Sequence, residues 1–570
     1  MKYLLLLTAL TGTLAAQAQV KTKVKTKPAT TKTAPANPVP ASPAMVPAPA
    51  SAVPALMAPV GAAAASANAD WSEQYAALVK AERLQTHLKV LASDEYEGRE
   101  TGEKGQHMAA AYIAGQFKAG GLTSPVKGDY LQKFQLEHVK WAPGATLKVG
   151  SKTYQWMVDF YGMGDAGFNQ ETEVKPVFVG YGIETDNYSD YKDVKVAGKD
   201  LLILLGEPTE ASGAPRLSPD GNPSKWGSDY RAKADLAASK GARSVFFVNF
   251  NPNSNFAKLA GRLSPSINKA SIMMAGERVD RAPSFFVSPA VGYQLLNSNA
   301  AAVQQYLAKI NDTGAPVASP FKVASLKIKA PHERKPFGTE NVLGYVEGSD
   351  KSKEVLVVSA HHDHLGIRNG KVYNGADDDG SGTAAIINIA EAFARAKAEG
   401  HGPRRSMLFL SVTGEEEGLY GSEYYSNHPV FPLANTVADL NVDMVGRTDP
   451  EHEGKPDYVY VIGSDKLASQ LRVVLEAQNN AHTRLDLDYK FDDPADPNRF
   501  YYRSDHYNFA VKKVPVAFFF NGVHADYHEE TDEIDKIQFD KLEQRARLVF
   551  YTAWELANRE ERIIVDSNKP

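Results

Sequence analysis

The 570-residue chain contains no cysteine. This absence excludes disulfide bonds, thiolate metal ligands, a cysteine nucleophile and lipid attachment through an N-terminal cysteine. Acidic residues are also absent before Asp70, whereas several lysines lie in that stretch. The basic stretch lacks the interleaved aromatic residues that single-strand nucleic-acid binders use, and the chain as a whole carries a net charge of -5, so we expect no nucleic-acid partner.

Long apolar runs are missing beyond the first 18 residues, and the sequence therefore predicts no membrane span. Residues 1–18 differ, because a basic Lys2, an apolar run and a small-residue ending at Ala18 are typical of a cleaved secretory signal. We therefore expect a secreted, periplasmic or cell-envelope protein. Residues 19–70 are rich in Ala, Pro, Thr and Lys, a composition that predicts a disordered linker.

Several enzyme signatures are absent as well. Neither H-E-x-x-H nor G-x-S-x-G occurs, which argues against thermolysin-like and serine-hydrolase chemistry. The run Gly162–Gly167 fits the dinucleotide fingerprint G-x-G-x-x-G, but a strand-like segment follows it where a helix is needed. We therefore predict no nucleotide cofactor.

What is present is a pattern of alternating strands and helices from Asn341 onward, which predicts an α/β domain of three layers (α/β/α) around a mostly parallel sheet. Residues 166–320 contain short strands and one good helix but no cluster of His, Asp and Glu, so we expect a binding or lid role for them. The predicted strands of the first domain are 354–360, 406–412, 437–443, 458–462 and 516–520, and its predicted helices are 383–398, 465–479 and 540–558.

The stretch Glu354 to Gly382 concentrates side chains with metal-binding chemistry. His361 and Asp363 follow its buried strand two residues apart, so a carboxylate there can hold the imidazole in one tautomer while the other ring nitrogen binds a metal. The triplet 377–379 consists of three aspartates, which repel one another unless a cation lies among them. Alone, each pattern is also typical of a surface hydrogen bond or a helix cap.

Three further strand ends carry polar residues. Glutamates occupy positions 415–417 after one strand, Asp443 follows the next, and His528 lies in the loop 526–532 after the last. A solvated loop, a helix cap and a surface histidine are the simpler alternatives. However, every set falls at the carboxyl end of a predicted strand of one sheet, where open α/β sheets bind their ligands. We therefore expect one metal site.

In this order, the sequences H-x-D, A-D-D, E-E-x-G-L-x-G-S, V-D-M and Y-H-x-x-x-D resemble the M28 family of dizinc exopeptidases, which includes secreted bacterial aminopeptidases. Part of the intervening sequence resembles a protease-associated (PA) domain, which many such peptidases carry as an insertion. The resemblance implies a zinc-exopeptidase-like catalytic domain at 71–165 and 321–560, with a smaller PA-like domain inserted at 166–320.

Carried over residue by residue, the resemblance implies five ligands for two zinc ions. His361 and Asp443 would bind one ion, Glu416 and His528 would bind the other, and Asp377 would bridge both. Two metals can lower the pKa of a shared water and polarise a peptide carbonyl. Imidazoles and carboxylates without thiolates suit zinc, with manganese or cobalt as alternatives.

The resemblance also implies three catalytic residues. Glu415 would be the general base, because adjacent residues of an extended chain point apart, and Asp363 would orient the neighbouring histidine. Tyr501 would steady the oxyanion, with Tyr502 as its rival or both as packing aromatics. The Glu triplet permits a slip of one residue, in which case Glu417 would take one of these roles.

Two further features come from the resemblance. A cis peptide bond is implied at Asp377–Asp378, and we interpret His362 and His364 as supporting or structural residues.

The leading functional prediction is a secreted aminopeptidase that hydrolyses N-terminal residues of peptides through a metal-bridged hydroxide. A carboxypeptidase or dipeptidase on the same scaffold is the first alternative. A glutaminyl-cyclase-like acyltransferase would use one zinc ion, and a non-catalytic binding ectodomain would lack ligands. The presence of all five ligand types argues against these last two. The sequence indicates neither the side-chain preference nor an oligomeric state.

Overall fold

A computed structural model describes residues 70–192, 194–218, 221–276 and 282–569. The predicted secretory signal, 1–18, and the predicted linker, except for Asp70, lie outside the described residues. Among the helices that are described, none combines the length and apolar character needed to cross a membrane.

The strands are numbered in chain order. They are β1 (Leu131–Trp141), β2 (Thr146–Val149), β3 (Lys152–Gln155), β4 (Phe160–Met163), β5 (Phe168–Val174), β6 (Val177–Phe178), β7 (Glu184–Thr185), β8 (Tyr188–Ser189), β9 (Asp200–Leu204), β10 (Ser244–Val248), β11 (Ser271–Met274), β12 (Ser284–Val287), β13 (Leu326–Ala330), β14 (His332–Val346), β15 (Lys351–His361), β16 (Gly366–Arg368), β17 (Lys371–Tyr373), β18 (Arg405–Val412), β19 (Thr436–Val442), β20 (Tyr458–Ile462), β21 (Asp486–Asp488) and β22 (Val516–Phe520).

The helices are numbered in the same way. They are α1 (Ser72–Ala76), α2 (Ala81–Leu91), α3 (Lys104–Ala119), α4 (Lys225–Ser228), α5 (Tyr230–Ser239), α6 (Phe256–Asn268), α7 (Pro289–Leu295), α8 (Ala300–Thr313), α9 (Gly382–Ala398), α10 (Tyr420–Asn427), α11 (Ser469–Gln478), α12 (His506–Val511) and α13 (Phe539–Asn558).

The largest sheet of the described residues has the strand order β11-β1-β14-β18-β15-β19-β22-β20-β21. Its central strands β18, β15, β19 and β22 are parallel neighbours. On the flanks, β1 pairs antiparallel with both β11 and β14, β14 pairs antiparallel with β18, and β20 pairs antiparallel with β22. The α/β class is confirmed, but the sheet is mixed rather than mostly parallel. The chain enters β14 from an inserted unit and not through a crossover helix, so β14 is free to run antiparallel.

Helices cover both faces of this sheet, as the three-layer prediction requires. Helices α2, α3, α9 and α13 pack on one face, and α10 and α12 pack on the other. Because side chains alternate across a strand, Leu356 and Val358 of β15 face the first layer, whereas Val355 and Val357 face the second. The central strand is therefore buried on both faces, and its apolar run is continuous.

A second unit is inserted between β1 and β14. Its sheets, β4-β12-β10-β9-β6 and β3-β2-β13-β5, enclose their own hydrophobic clusters, which include Phe246 and Phe247. Strands β2, β3, β4 and β13 belong to these sheets, so we place the ends of the unit near 142 and 331 rather than at the predicted 166 and 320. At that point the Ala142 N–H donates to the Pro331 carbonyl at 2.8 Å.

The sequence shows no change of pattern at the true boundary, since short strands lie on both sides of it. The inserted unit also returns one strand to the large sheet, because β11 pairs antiparallel with β1 and forms the edge of that sheet.

Candidate metal centre

Four parallel strands deliver the candidate residues to one edge of the large sheet. His361 is the last residue of β15, and Asp443 follows β19 directly. The loops after β18 and β22 carry Glu416 and His528. Because parallel neighbours have their carboxyl ends at the same edge, the structure brings these four predicted residues together.

The first group of potential ligands surrounds His361 Nε2. Asp378 Oδ1 lies 3.3 Å from this nitrogen and Asp443 Oδ1 lies 3.5 Å from it. The other ring nitrogen, Nδ1, lies 3.1 Å from the Asp363 carbonyl oxygen and 3.6 Å from its carboxylate. The Ser504 hydroxyl donates to Asp443 Oδ2 at 2.7 Å. Asp363 and Ser504 thus orient His361 and Asp443 through contacts on the side away from the candidate metal, as is common for metal ligands.

The second group surrounds Glu416. Its Oε2 lies 3.1 Å from His528 Nε2, and Asp378 Oδ2 lies 3.1 Å from the same nitrogen. His364 Nδ1 lies 2.7 Å from Glu416 Oε1. His364 was interpreted from the sequence as supporting or structural, yet it offers a donor atom to this group together with Asp378 and Glu416.

Asp378, and not the predicted Asp377, faces both groups of potential ligands. One oxygen of Asp378 faces each group, whereas Asp377 Oδ1 accepts a hydrogen bond from the Gly446 N–H at 2.6 Å and its Oδ2 lies 3.1 Å from His524 Nε2. Neighbouring side chains leave the backbone in different directions, so only one aspartate of the triplet can face both groups. The cis peptide bond is likewise one residue later than implied, at Asp378–Asp379.

The glutamate triplet divides between the two groups. Glu416 belongs to the second group, while Glu415 Oε2 lies 3.9 Å from His361 Nε2 on the side of the first. The Asp363 carboxylate accepts the N–H of Glu415 at 3.3 Å and the N–H of Glu416 at 3.4 Å. Asp363 therefore fixes the register of this loop as well as lying beside His361. Glu417 is partly buried, and burial raises its pKa to about 7.

The charges of the site are poorly balanced by protein groups alone. Burial raises the pKa of Glu415 well above its usual value, and the neighbouring Asp443 carboxylate adds to the effect. Burial would raise the pKa of Glu416 too and is the largest single influence, but His528 and His364 together outweigh it and lower that pKa to about 2. Four carboxylates thus meet here around three imidazoles, an arrangement that a divalent cation would stabilise.

Several buried atoms of the site also lack a hydrogen-bond partner among the described residues. They are His361 Nε2, both ring nitrogens of His364 and Glu416 Oε1; His364 Nδ1 and Glu416 Oε1 lie 2.7 Å apart, but not at hydrogen-bonding angles. Buried polar atoms are rarely left without a partner, and these atoms are metal-ligand types. The donor set of imidazoles and carboxylates fits zinc, so the residues present fit a metal centre.

The predicted oxyanion residue Tyr501 does not line the cavity beside this centre. Its ring packs near His506 and lies 4.8 Å from the Lys466 ammonium. Tyr527 lines the cavity instead, and its ring stacks on that of His528 at 3.9 Å. The geometry therefore gives no support to an oxyanion role for Tyr501, and its rival Tyr502 is also absent from the cavity lining.

Other residues that hold the site were not identified from the sequence. Gly375 has a φ of 53°, and a Cβ there would lie 2.4 Å from the His364 ring. The buried Arg99 guanidinium donates to the Gly375 carbonyl at 3.0 Å, and Asp532 accepts two backbone N–H groups of the Asp triplet. Arg99 and Asp532 lie in stretches that carry the family resemblance, which was the available signal.

Comparisons with known proteins indicate the family and the fold. Residues 341–553 match the sequence profile of Peptidase family M28. A probable zinc metalloprotease of Pyrenophora tritici-repentis is 27% identical over 266 residues, which cover 39% of this chain and 52% of that protein. Aminopeptidase YwaD of Bacillus subtilis is 26% identical over 249 residues, which cover 42% of this chain and 49% of that protein.

Among solved structures, an aminopeptidase from Aneurinibacillus sp. strain AM-1 matches with a TM-score of 0.50 and 20% identity, over 88% of this chain and 100% of that one. At this identity the likeness shows the fold. The chain spans about half the length of the curated relatives it matches.

Proposed function

We propose that this chain, whose residues 341–553 match the profile of Peptidase family M28, is a zinc-dependent aminopeptidase that removes N-terminal residues from peptides. The relatives named as a zinc metalloprotease and an aminopeptidase support the metal and the reaction. The alternative of a carboxypeptidase or dipeptidase has no observation in its favour.

One observation carries the proposal: two groups of ligands share Asp378, and Glu415 faces the same cavity. We propose that His361 and Asp443 hold one zinc ion, that Glu416 and His528 hold a second, and that Asp378 bridges the two. His364 supports the second ion, because its Nδ1 lies 2.7 Å from Glu416 Oε1. A shared carboxylate is the arrangement that holds two cations close together.

Bound zinc would supply Lewis acidity, polarising the scissile carbonyl and lowering the pKa of a water molecule. The protein groups then have separate tasks. Glu415 takes a proton from the attacking water and returns it to the leaving amine, which its place in the wall of the cavity beside Asp443 supports. Asp363 keeps Glu415 in place through the backbone hydrogen bond from the Glu415 N–H.

The inserted unit supports a preference for short substrates. Tyr420 follows the loop that carries the three glutamates, and its hydroxyl donates to the Ile272 carbonyl of β11 at 2.9 Å. Strand β11 therefore lies beside the segment that directly follows the loop carrying Glu415 and Glu416. We propose that this unit, which we take to be PA-like, limits access to the site to peptides with a free N-terminal amine. We also propose that the protein is exported from the cytoplasm, because residues 1–18 have the pattern of a secretory signal.

The test is a panel of aminoacyl-4-nitroanilides and N-blocked peptides, each with and without a chelator, together with zinc analysis of the purified protein. We expect cleavage only of substrates with a free amine, loss of activity with chelator, and two zinc ions per chain at saturation. Cleavage of N-blocked peptides from the carboxyl end would overturn the aminopeptidase assignment, and one zinc ion at saturation would overturn the two-metal site.

A further inference from the structure

An arginine lines the cavity beside the metal centre. The cavity has a volume of about 30 Å³, and Asp378, Glu415 and Asp443 form one part of its wall. Aromatic and aliphatic side chains such as Phe500 form most of the rest, together with Arg503. A cavity of this size has room for about two water molecules, which a side chain that enters it would have to displace.

The contacts of Arg503 leave most of its donors unused within the described part of the chain. Its Nη2 donates to the Tyr527 hydroxyl at 3.2 Å, and the guanidinium lies 4.9 Å from the centre of the Phe500 ring. No carboxylate of the described residues pairs with it within 4.0 Å. A guanidinium has five N–H donors and keeps its charge at all working pH values.

The stacking contact with Phe500 does not account for these donors. Stacking uses the flat face of the guanidinium, whereas the N–H groups point outward in its plane, where they match the two oxygens of a carboxylate. Because Arg503 is only partly buried and lines the cavity, its remaining N–H groups are open to an anion that enters with the substrate.

We propose that Arg503 selects substrates whose N-terminal residue has an acidic side chain, Asp or Glu. The inference rests on the proposed aminopeptidase function. With the scissile carbonyl at the Asp378 and Glu415 end, the side chain of the N-terminal residue enters the cavity. Its methylene groups contact the aromatic walls and its carboxylate pairs with Arg503. An uncharged side chain forms no such pair with the guanidinium and therefore lacks this contribution to binding.

The experiment compares kcat/KM for Glu- and Gln-4-nitroanilide, which have the same shape and differ in charge, with Asp-, Asn- and Leu-4-nitroanilide alongside. Zinc-loaded wild-type protein should prefer Glu over Gln. In R503Q the Glu-to-Gln ratio should fall by roughly 10- to 100-fold, the range expected for a lost charged hydrogen bond, while Leu-4-nitroanilide hydrolysis stays within about threefold, because apolar side chains gain nothing from the guanidinium.

Two further variants make the result specific. R499Q is the matched control, since Arg499 is exposed in the same loop with its guanidinium 4.8 Å from the Tyr502 ring, and the ratio should not change. R503K keeps the charge without the paired donors and should give an intermediate ratio. Thermal unfolding of each variant shows whether it is folded. If R503Q does not fold, the Glu-to-Gln ratio of R503K tests the proposal in its place.

The proposal is overturned if the wild type cleaves Glu- and Gln-4-nitroanilide equally well, or if R503Q lowers the rates for Glu, Gln and Leu alike. It is also overturned if R503Q leaves the Glu-to-Gln ratio of the nitroanilides unchanged and lowers kcat/KM only for dipeptides, compared with the matching dipeptide amides. The anion that Arg503 binds would then be the carboxyl terminus of the substrate. Cleavage of no aminoacyl nitroanilide at all would instead refute the aminopeptidase function itself.

Discussion

The inserted unit and the metal centre both bury charged groups, but they treat them differently. In the inserted unit, the buried Lys233 ammonium donates to the Leu204 carbonyl at 2.8 Å. Asp190, also buried there, accepts the Ile183 N–H and the Tyr188 hydroxyl, each at 3.1 Å. Both buried side chains thus form hydrogen bonds with protein groups of the inserted unit itself.

At the metal centre the opposite holds. His361 Nε2, His364 Nε2 and Glu416 Oε1 are buried without a hydrogen-bond partner among the described residues, and the carboxylates of Asp378 and Asp443 face the same space. A buried charge with partners contributes to structure, whereas a buried set without partners indicates a ligand. The contrast predicts that substitutions will change stability in the first region and chemistry or metal binding in the second.

The largest effect should come from Glu415→Gln. The amide cannot accept the proton of the attacking water, so kcat should fall by about 10²–10⁴-fold, while zinc content stays at the wild-type value because Glu415 is not a ligand. Glu416→Gln should instead lower zinc content. Steady-state kinetics and metal analysis of both variants check this, and exchanged phenotypes, or either one in Glu417→Gln, would show that our register is wrong.

A comparison of Asp378→Asn with Asp377→Asn tests the bridging position. Zinc at 100 times its dissociation constant should stabilise the wild type by about 2.7 kcal/mol, and Asp378→Asn should lose most of this gain, since the carboxylate faces both ligand groups. Asp377→Asn should keep it, because an amide oxygen can still accept from Gly446. Thermal unfolding with and without zinc gives the answer, and equal losses in both variants would contradict the bridging assignment.

The sequence predicted the edge of the sheet correctly, but not the individual atoms. Four strand ends could be placed because apolar runs and parallel order are encoded locally. The choice between Asp377 and Asp378 depends on the backbone path through one turn, which Asp532 and Arg99 fix from distant parts of the chain. The oxyanion role of Tyr501 stays a prediction for the same reason, since its ring position depends on packing against Gly463 and His506.

In the inserted unit, Lys233→Met should lower stability without affecting zinc binding. The substitution leaves the Leu204 and Gly206 carbonyls without this donor, which costs about 1–3 kcal/mol. Hydrogen exchange of β9 and β10, together with metal analysis, separates the two readouts. Loss of zinc from folded Lys233→Met would contradict the claim that substitutions in the inserted unit change stability and not metal binding.

The same variant tests a pH dependence. Burial lowers the pKa of Lys233 from 10.5 to about 7. Between these values the unfolded chain binds a proton that the native state has released, so the contribution of Lys233 to stability rises with pH in that window. Asp190 acts in another window, because burial raises its pKa from 3.8 to about 7. The stability difference between wild type and Lys233→Met should therefore be larger at pH 9 than at pH 7, and an unchanged difference would contradict the lowered pKa of Lys233.

The smallest effect concerns the contact between the two regions. Tyr420→Phe removes the hydroxyl that donates to the Ile272 carbonyl of β11, a loss of about 0.5–1.5 kcal/mol. Tyr424→Phe is the matched control, since Tyr424 stacks on Phe134 at 4.6 Å and no hydrogen bond of its hydroxyl is seen within the described residues.

Because this bond connects β11 to the residue that follows the glutamate loop, its loss should speed hydrogen exchange in β11 and leave β9 unchanged. Peptide-resolved exchange of both variants measures this. If β11 exchanges at the wild-type rate in Tyr420→Phe, the pairing of β11 with β1 alone holds the inserted unit over the site. The glutamate loop would then be independent of the inserted unit, and any limit on substrate length would have to arise from the shape of the inserted unit and not from its bond to the loop.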